Sequence, residues 1–254
     1  MEKYRIGKVC ISSTNPIHAI SSIEEKAKSD TPCYICVTNL RMIRYAGTDK
    51  VYQELMHKSF MNLPDGTPLT WCGKLWGRKN IACTSGPYVF RKMMERGDNG
   101  VRHFLLGDTP DVLDALEKKY TKEYKTNIVG TFSPPFADVK DFDYEGIARL
   151  IKQSNADIVW TAMRAPKQDY FNQRLCEYLD KGVCIGVGRA FRAALGEFTP
   201  VPKWAKKLGL SGMYMRRKSL VATLWWYIQS MFYLAYYMLQ IMVWRIFGCN
   251  KQKC

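Results

Sequence analysis

The residue best suited to chemistry is Asp65, which lies in the run Leu63–Gly66 with the sequence Leu-Pro-Asp-Gly. Proline restricts its own φ angle and glycine accepts a positive φ, so this run predicts a tight, rigid turn. A carboxylate held on such a turn can act as a general base that removes a proton from a hydroxyl group. The same run is also typical of a plain turn with no chemical role.

Four further polar or charged residues follow apolar, strand-like runs. Thr38 and Asn39 end one run, and Arg164 and Gln168 follow another. Ligands of open α/β sheets bind beyond the carboxyl ends of the strands, so these four side chains are candidate substrate ligands. The alternatives are a cap that ends the strand at the Thr-Asn pair and an ordinary helix start with proline in its first turn.

Two glycine turns are candidate nucleotide contacts. Gly107 and Asp108 stand between a predicted strand and a predicted helix, where a helix N-terminus attracts phosphate. Because Asp108 would repel phosphate, a ribose or base contact and a simple helix cap are equally compatible with this turn. Gly186 and Gly188 form a similar turn, but a Gly-x-Gly pair without a third glycine is a weak dinucleotide signal.

Patterns that would indicate a metal site are weak. Asp141 and Asp143 imitate the Asp-x-Asp pair that binds a metal–nucleotide complex, yet Asp143 directly precedes a predicted helix and is interpreted as its N-cap. Cys33 and Cys36 form a Cys-x-x-Cys pair without the second pair that a zinc ribbon needs, so we interpret them as strand residues. We therefore expect no metal and no cofactor.

The elements that must position these residues alternate between strands and helices. The predicted strands are Tyr34–Asn39, Arg102–Leu106, Asn127–Gly130, Asp157–Ala162 and Val183–Val187. The predicted helices between and beside them are Lys50–Ser59, Asp111–Tyr120, Tyr144–Gln153 and Gln168–Leu179. This alternation predicts an α/β fold with a Rossmann-like, mostly parallel sheet flanked by helices. A chain of 254 residues that is 47% hydrophobic can bury a substantial core, which argues against a disordered chain.

The composition changes at the proline-rich joint Thr199–Pro202. We predict an α/β core over residues 1–199 and a basic, aromatic-rich appendage over residues 200–254. The chain has a formal net charge of +15, and no Asp or Glu follows Glu197. A tail with charges of one sign binds an anionic partner such as phosphate or acidic lipid headgroups. It carries no recognised nucleic-acid motif and leads into an apolar helix, so a membrane explains it better than a nucleic acid.

Within the appendage, a basic helix-like stretch, Lys203–Arg217, is followed by Leu220–Trp244, which contains no charged residue. A helix needs about 20 apolar residues to cross a bilayer, so the second stretch is long enough to span one. Its many Trp and Tyr residues prefer the headgroup boundary, and its polar members share one helix face. These features favour a helix that lies in the membrane interface, with a spanning helix and a helix buried in the protein or an oligomer as alternatives.

Arg216 and Arg217 stand just before this apolar stretch. They are compatible with a basic collar that faces lipid headgroups. They are equally compatible with ligands of a diphosphate, because guanidinium groups pair bidentately with phosphate. The first ten residues lack the apolar region of a signal peptide, so we expect the protein at the cytoplasmic face of the plasma membrane, peripheral, monotopic or held by one helix.

Many short elements between Thr38 and Arg217 agree in order and spacing with one family, so this stretch resembles the WecG/TagA/CpsF glycosyltransferases. The matching elements are Thr38-Asn39, Leu63–Trp71, Thr84–Gly86, Phe104–Gly107, Ile128–Thr131, Ala165–Asp169, Gly186–Gly188, Ala190-Phe191, Gly196, Pro202–Trp204 and Lys207–Leu210. The resemblance implies an α/β fold whose C-terminal appendage binds the membrane and helps to complete the active site.

The resemblance also implies an activity. It is the metal-independent, inverting transfer of a hexose or N-acetylhexosamine, typically of the N-acetylmannosamine type, from a UDP-sugar. The implied acceptor is a sugar linked to polyprenyl diphosphate, in the biosynthesis of capsule, exopolysaccharide or teichoic-acid polymers. The alternative is a non-catalytic membrane-bound protein that binds a nucleotide sugar or a polyprenyl lipid. A homo-oligomer is compatible with either function.

The resemblance assigns roles to several residues. It makes Asp65 the general base, places Thr38, Asn39 and Gln168 in the sugar site, and directs Arg216 and Arg217 to the diphosphate. We expect Arg164 to contact substrate as well. The expected nucleotide contacts are Gly107, Asp108, Gly186, Gly188 and Phe191.

Two departures from the family pattern bear on the donor. Arg192 stands where an aspartate commonly follows Ala-Phe, and Asp169 replaces the usual glutamate after Gln168. These departures leave the identity of the donor sugar open.

Overall fold

The computed structural model describes residues 1–198, 201–211, 214 and 220–247. Arg216 and Arg217 lie outside the described residues, so the predictions for these two arginines stay predictions.

A six-stranded sheet forms the centre of the protein. Its strands are β3 (Cys33–Thr38), β4 (Met61–Pro64), β5 (His103–Gly107), β6 (Ile128–Phe132), β7 (Ile158–Ala162) and β8 (Val183–Gly186). They lie in the order β4-β3-β8-β7-β5-β6, and every neighbouring pair is parallel. The predicted α/β fold with a mostly parallel sheet is therefore confirmed. A separate antiparallel hairpin is formed by β1 (Lys3–Ile6) and β2 (Val9–Ser12).

Helices cover both faces of the sheet. They are α1 (Pro16–Ala27), α2 (Leu40–Thr48), α3 (Lys50–Lys58), α4 (Thr67–Leu75), α5 (Gly86–Met94), α6 (Pro110–Tyr124), α7 (Tyr144–Gln153), α8 (Lys167–Cys176), α9 (Ala190–Ala194), α10 (Lys203–Lys207) and a C-terminal helix (Leu220–Ile246). A 3₁₀ turn, Val139–Asp141, precedes α7.

Two hydrophobic clusters lie on opposite faces of the sheet. Strand β3 contributes side chains to both clusters, which explains why its sequence is apolar throughout. Tyr34 and Cys36 belong to one cluster, while Ile35 and Val37 belong to the other. Because successive side chains of a strand point to opposite faces, a parallel strand covered on both sides reads as a continuous apolar run. The interpretation of the Cys-x-x-Cys pair as strand residues is confirmed, because Cys33 and Cys36 are free thiols within β3.

Local capping signals were interpreted correctly at α7. Asp143 accepts a hydrogen bond from the backbone N–H of Gly146 at 2.9 Å, which confirms it as the N-cap. Asn39 caps α2 in the same manner. Such caps satisfy backbone donors that a helix start leaves unpaired.

The basic stretch Lys203–Arg217, which the sequence predicts to be helix-like, begins with a helix but is interrupted within its described part. Helix α10 ends after Lys207, and Gly209 has a φ of +72° that an α-helix cannot continue through. Gly209 lies close to Trp71 and Pro68 of α4, so contact with the core interrupts the helix at this point.

The C-terminal helix packs along α2 and α4 with one face. Leu234, Tyr237 and Ile241 are buried in this contact, and Arg44 on α2 donates to Gln229 at 3.2 Å. Ser230, Tyr237 and Gln240 of the polar face that the sequence predicted lie against the core, whereas Tyr233 of the same face is exposed. The opposite face exposes large apolar side chains: Leu224, Trp225, Ile228, Phe232, Tyr236, Leu239, Met242, Val243, Ile246 and Phe247.

Among the described residues, no helix combines the length and the apolar character that crossing a bilayer requires.

Candidate active site

The carboxyl ends of the parallel strands gather most candidate residues at one edge of the sheet. Asp65 follows β4, Thr38 ends β3, Gly188 follows β8 and Gln168 follows β7. These four strands are consecutive neighbours in the sheet, so the four residues lie in one row along its edge. Gly107 ends β5, one strand further along the same edge.

Three hydrogen bonds fix the turn that carries Asp65. The Asp65 backbone N–H donates to the Thr38 carbonyl oxygen at 2.8 Å, and the Thr84 N–H donates to the Pro64 carbonyl oxygen at 2.8 Å. The Gly66 N–H donates to Cys83 Sγ at 3.1 Å. Gly66 has a φ of 108°, which a residue with a Cβ rarely adopts. The turn is thus held against β3, and the aspartate has one defined position.

The Asp65 carboxyl is half-buried, and burial raises its pKa to about 6. Within the described part of the chain, no hydrogen bond or ion pair to this carboxyl stabilises its charge. A carboxylate with a pKa close to the working pH is suited to general base catalysis, because it is ionised yet still basic.

Cys83 is a neighbour of Asp65 that the sequence interpretation missed. Burial of its sulfur and the negative charge of Asp65 raise the pKa of the Cys83 thiol to about 11, so the thiol is protonated at neutral pH. Cys83 helps to hold the Asp65 turn by accepting a hydrogen bond from Gly66. This contact joins residues that are distant in sequence, so the sequence pattern does not indicate it.

Thr38 and Asn39 differ in what their side chains do. Thr38 is buried, and its Oγ1 has no hydrogen-bond partner among the described residues. An unpaired buried hydroxyl is unfavourable, so this oxygen is available to a ligand. Asn39 Oδ1 accepts from the Met42 N–H at 3.3 Å, which shows that the residue serves as a helix cap. Its amide nitrogen is left for other contacts.

Gln168 explains the two glycines of the turn after β8. A Cβ atom on Gly186 would lie 2.8 Å from Cγ, Cδ and Nε2 of Gln168, so the glutamine side chain lies directly across this glycine. The Gly188 N–H donates to Gln168 Oε1 at 3.0 Å. The Gly-x-Gly turn therefore orients the amide of Gln168.

Cationic side chains surround the loop between β7 and α8. Arg164 is exposed on this loop. Arg41 was not singled out from the sequence, yet its Nη2 donates to the Ala165 carbonyl oxygen at 2.7 Å. This bond joins the first turn of α2 to the loop that carries Arg164.

Asp108 forms an ion pair with Arg192 beyond the end of β5. Arg192 donates to both carboxylate oxygens of Asp108 at distances of 2.7–3.0 Å. The arginine that departs from the family pattern thus neutralises the acid that would repel phosphate. Asp108 itself adopts a left-handed backbone conformation with a φ of 60°. A Cβ on Gly107 would lie 3.1 Å from the Ala162 carbonyl oxygen, so glycine permits the close approach of β5 and β7.

Phe191 is placed differently from the other candidate nucleotide contacts. Its side chain is fully buried and packs on Phe90 with ring centroids 5.1 Å apart. It therefore supports α9 from the core and does not face the edge of the sheet.

Helix α10, which lies in the predicted appendage, is close to the Asp65 turn. Thr67 Oγ1 donates to the Lys206 carbonyl oxygen at 2.5 Å, and Ala205 is fully buried. Helix α10 is therefore in contact with the first residue of α4, two positions after Asp65. Among the described residues, no group of three or more His, Cys, Asp or Glu side chains is arranged to hold a metal ion.

Comparison with known proteins identifies a family and a curated relative. Residues 4–242 match the model of the Glycosyl transferase WecG/TagA/CpsF family. A protein of Bacillus subtilis (strain 168), named N-acetylglucosaminyldiphosphoundecaprenol N-acetyl-beta-D-mannosaminyltransferase, is 25% identical over 167 residues. The aligned region covers 65% of this chain and 64% of the relative, so the chain matches somewhat less than two thirds of the relative's length.

Proposed function

Because the chain belongs to the WecG/TagA/CpsF family of glycosyltransferases, we propose that it transfers a sugar from a UDP-sugar to a sugar carried on polyprenyl diphosphate. The proposed donor sugar is a hexose or an N-acetylhexosamine. The N-acetylmannosamine type is the preferred candidate, in agreement with the name of the Bacillus relative. The product enters a cell-surface polysaccharide of the capsule, exopolysaccharide or teichoic-acid type. The observation that carries this proposal is an Asp65 carboxyl with a raised pKa, on a fixed turn beside the unpaired hydroxyl of Thr38.

The proposed reaction is a single displacement with inversion. The acceptor hydroxyl attacks the anomeric carbon on the face opposite UDP, and Asp65 takes the hydroxyl proton as the new C–O bond forms. The bond from the anomeric carbon to the diphosphate breaks at the same time, and UDP leaves with the electron pair. Thr38, Asn39 and Gln168 hold the donor sugar, and the turns at Gly107 and Gly188 face the nucleotide.

The negative charge that develops on the diphosphate must be offset by cations in a metal-independent reaction. Arg41 lies in the first turn of α2 and Arg164 on the loop that precedes Gln168, and both are exposed. One well-placed electrostatic contact of this kind stabilises a transition state by about 3–4 kcal/mol. Arg216 and Arg217 are proposed to add to this charge from the appendage.

Transfer is tested by UDP release. With UDP-N-acetylmannosamine and a short synthetic polyprenyl-diphosphate N-acetylglucosamine, UDP is expected to appear only when both substrates are present. A coupled enzymatic assay for UDP, followed by mass analysis of the lipid product, measures this directly. A protein that binds the donor but releases no UDP with any UDP-sugar tested would instead support the non-catalytic binding protein.

The pH dependence of kcat/KM tests the ionisation of the base. Asp65 must be ionised to accept a proton, and burial raises its pKa from 3.8 to about 6. We therefore expect kcat/KM to fall about tenfold per pH unit below pH 6 and to level off above about pH 7. Burial also raises the pKa of the Asp169 carboxyl, to about 7, so the profile is repeated in Asp169→Asn. A profile without an acidic limb in both proteins would contradict the role of Asp65.

We further propose that the protein binds the cytoplasmic face of the plasma membrane through the C-terminal helix. Its outward face carries Trp225, Phe232, Tyr236 and Leu239, all exposed, and it presents no acidic residue. Aromatic and apolar side chains of this kind enter the boundary between headgroups and acyl chains, and a basic tail adds attraction to anionic lipid. Membrane binding would bring the Asp65 turn, which contacts α10, to a lipid-linked acceptor.

A further inference from the structure

The buried side of α8 carries three polar residues beside the apolar Phe171 and Leu175. Gln168, Asp169 and Asn172 are 3%, 1% and 1% exposed. Burying polar groups is unfavourable unless their hydrogen bonds are satisfied, and both amide atoms of Asn172 and Oδ1 of Asp169 have no partner among the described residues. Packing alone does not account for polar residues at these positions.

Two consecutive residues of α8 are bonded to the first turn of α3 in a crossed arrangement. Tyr52 Oη donates to Asp169 Oδ2 at 2.5 Å, and Tyr170 Oη donates to Asp49 Oδ2 at 3.0 Å. Asp49 is also the N-cap of α3, because its Oδ1 accepts from the Tyr52 N–H at 2.9 Å. Each helix supplies one phenol and one carboxyl, and we call these four residues the crossed clamp.

The two halves of the crossed clamp differ in burial. Tyr52 and Asp169 are fully buried, and burial raises the pKa of Asp169 to about 7 even though the hydrogen bond from Tyr52 lowers it. Tyr170 and Asp49 are only half-buried, so water can replace that bond. The buried half therefore places a carboxyl in an unfavourable environment. A residue with no polar atoms would be buried there at a lower cost in free energy.

The crossed clamp joins the two segments that bear the candidate sugar ligand and the candidate base. Asp169 directly follows Gln168 in the first turn of α8. Helix α3 leads into β4, and Asp65 comes immediately after β4. A shift of α8 along α3 would move the Gln168 amide away from Gly186 and Gly188, because those contacts depend on close approach.

We propose that Asp169 is a positioning residue, and that the crossed clamp fixes Gln168 at the distance from Asp65 that transfer requires. This inference rests on the proposed function of the same site. Asp169 is assigned a positioning role because the residue is 1% exposed and its Oδ2 is already bonded to Tyr52. It acts through the glutamine, and Tyr52 holds it in place.

Matched removal of single hydroxyl groups tests the proposal. Tyr52→Phe and Tyr170→Phe each delete one phenolic oxygen from the crossed clamp. We expect Tyr52→Phe to lower kcat about tenfold, because the buried carboxyl loses its partner, and Tyr170→Phe to change kcat less than about twofold. Equal losses of kcat in the two variants would overturn the proposal. A loss of kcat in Tyr52→Phe that is fully explained by a lower melting temperature would overturn it as well. Asp169→Asn, which keeps the shape of the side chain, serves as the second variant and is expected to match Tyr52→Phe.

The decisive readout is a double-mutant cycle with Gln168→Ala. If Asp169 acts through Gln168, Tyr52→Phe lowers kcat in the wild-type background but causes no further loss in Gln168→Ala. Fold-losses that multiply in the double variant would show that the two residues act independently, and the proposal would be abandoned.

Binding measurements separate this proposal from the proposed function. A wild-type protein that releases no UDP contradicts the function alone. The crossed clamp is then judged by calorimetry with UDP and a UDP-sugar. We expect Tyr52→Phe to weaken binding of the UDP-sugar about tenfold and to leave UDP binding unchanged, because Gln168 lies in the sugar site. Equal effects on both ligands would refute it.

Discussion

Replacing Asp65 with asparagine is expected to lower kcat by about 10³-fold, while KM for the UDP-sugar changes less than about threefold. Asparagine keeps the size of the side chain and the three backbone hydrogen bonds of the turn, but its amide cannot accept the proton of the acceptor hydroxyl. Acceptor-dependent UDP release measured at saturating substrate gives kcat, and a donor titration gives KM.

The stability of Asp65→Asn provides an internal check. The pKa of the Asp65 carboxyl is raised on folding from 3.8 to about 6, so its ionisation opposes folding. Stability contributed by the protonated form is present below about pH 4 and is lost as the pH rises through about 6. The asparagine variant is therefore expected to be at least as stable as the wild type at neutral pH, so its loss of activity cannot be attributed to unfolding.

A matched control for this substitution is Asp143→Asn. Asp143 is the N-cap of α7, and asparagine caps a helix about as well as aspartate. We therefore expect neither kcat nor the equilibrium constant of unfolding to change by more than about twofold. Turnover near the wild-type level in Asp65→Asn would remove this residue as the base.

Membrane binding is expected to be lost when aspartates replace Phe232 and Leu239 together. Both side chains lie on the outward face of the C-terminal helix and are 74% and 58% exposed, so the substitutions leave the packed face intact. Transfer of a large apolar side chain out of water contributes roughly 1.5–3 kcal/mol. Removing two such groups is expected to weaken binding to anionic vesicles at least about 100-fold. Sedimentation with vesicles that contain phosphatidylglycerol measures this.

The control for this experiment places the same charges elsewhere. Ile17 and Val51 are also exposed apolar residues, on α1 and α3, and their joint replacement by aspartate adds the same charge without touching the C-terminal helix. We expect the control to bind vesicles with nearly unchanged affinity. If Phe232 and Leu239 can be replaced without loss of vesicle binding, the membrane proposal fails. Analytical ultracentrifugation then decides whether a second copy of the chain covers this face.

The local sequence was sufficient to predict most of the strands and helices that carry the site. Strands covered on both faces read as apolar runs, and caps such as Asp143 mark where helices begin, because both signals depend only on neighbouring residues. Strand β4 was missed because the buried polar residue Asn62 interrupts its apolar pattern. The Asn62 amide nitrogen donates to the carbonyl oxygens of Cys10 and Met56, and such partners cannot be predicted from a short stretch of sequence.

The helix Leu220–Ile246 shows where a correct pattern led to an incomplete interpretation. Its polar residues were expected to share one face, and Ser230 and Tyr237 do so. The periodicity of a helix states which residues share a face, but not what that face contacts. In the folded protein this face packs on α2 and α4, so the apolar face is the one left outside.

The sequence by itself determined that Asp65 sits on a rigid turn and that polar residues end the strands, since φ restrictions and alternating apolar runs act over a few residues. Only the tertiary structure decided that β3 lies beside β4, which places Thr38 next to Asp65, and that β7 lies beside β8, which brings Gln168 across Gly186. It also decided that Arg192 neutralises Asp108 and that Tyr52 holds Asp169. These contacts join residues 84 and 117 positions apart, and their formation depends on the packing of the whole chain.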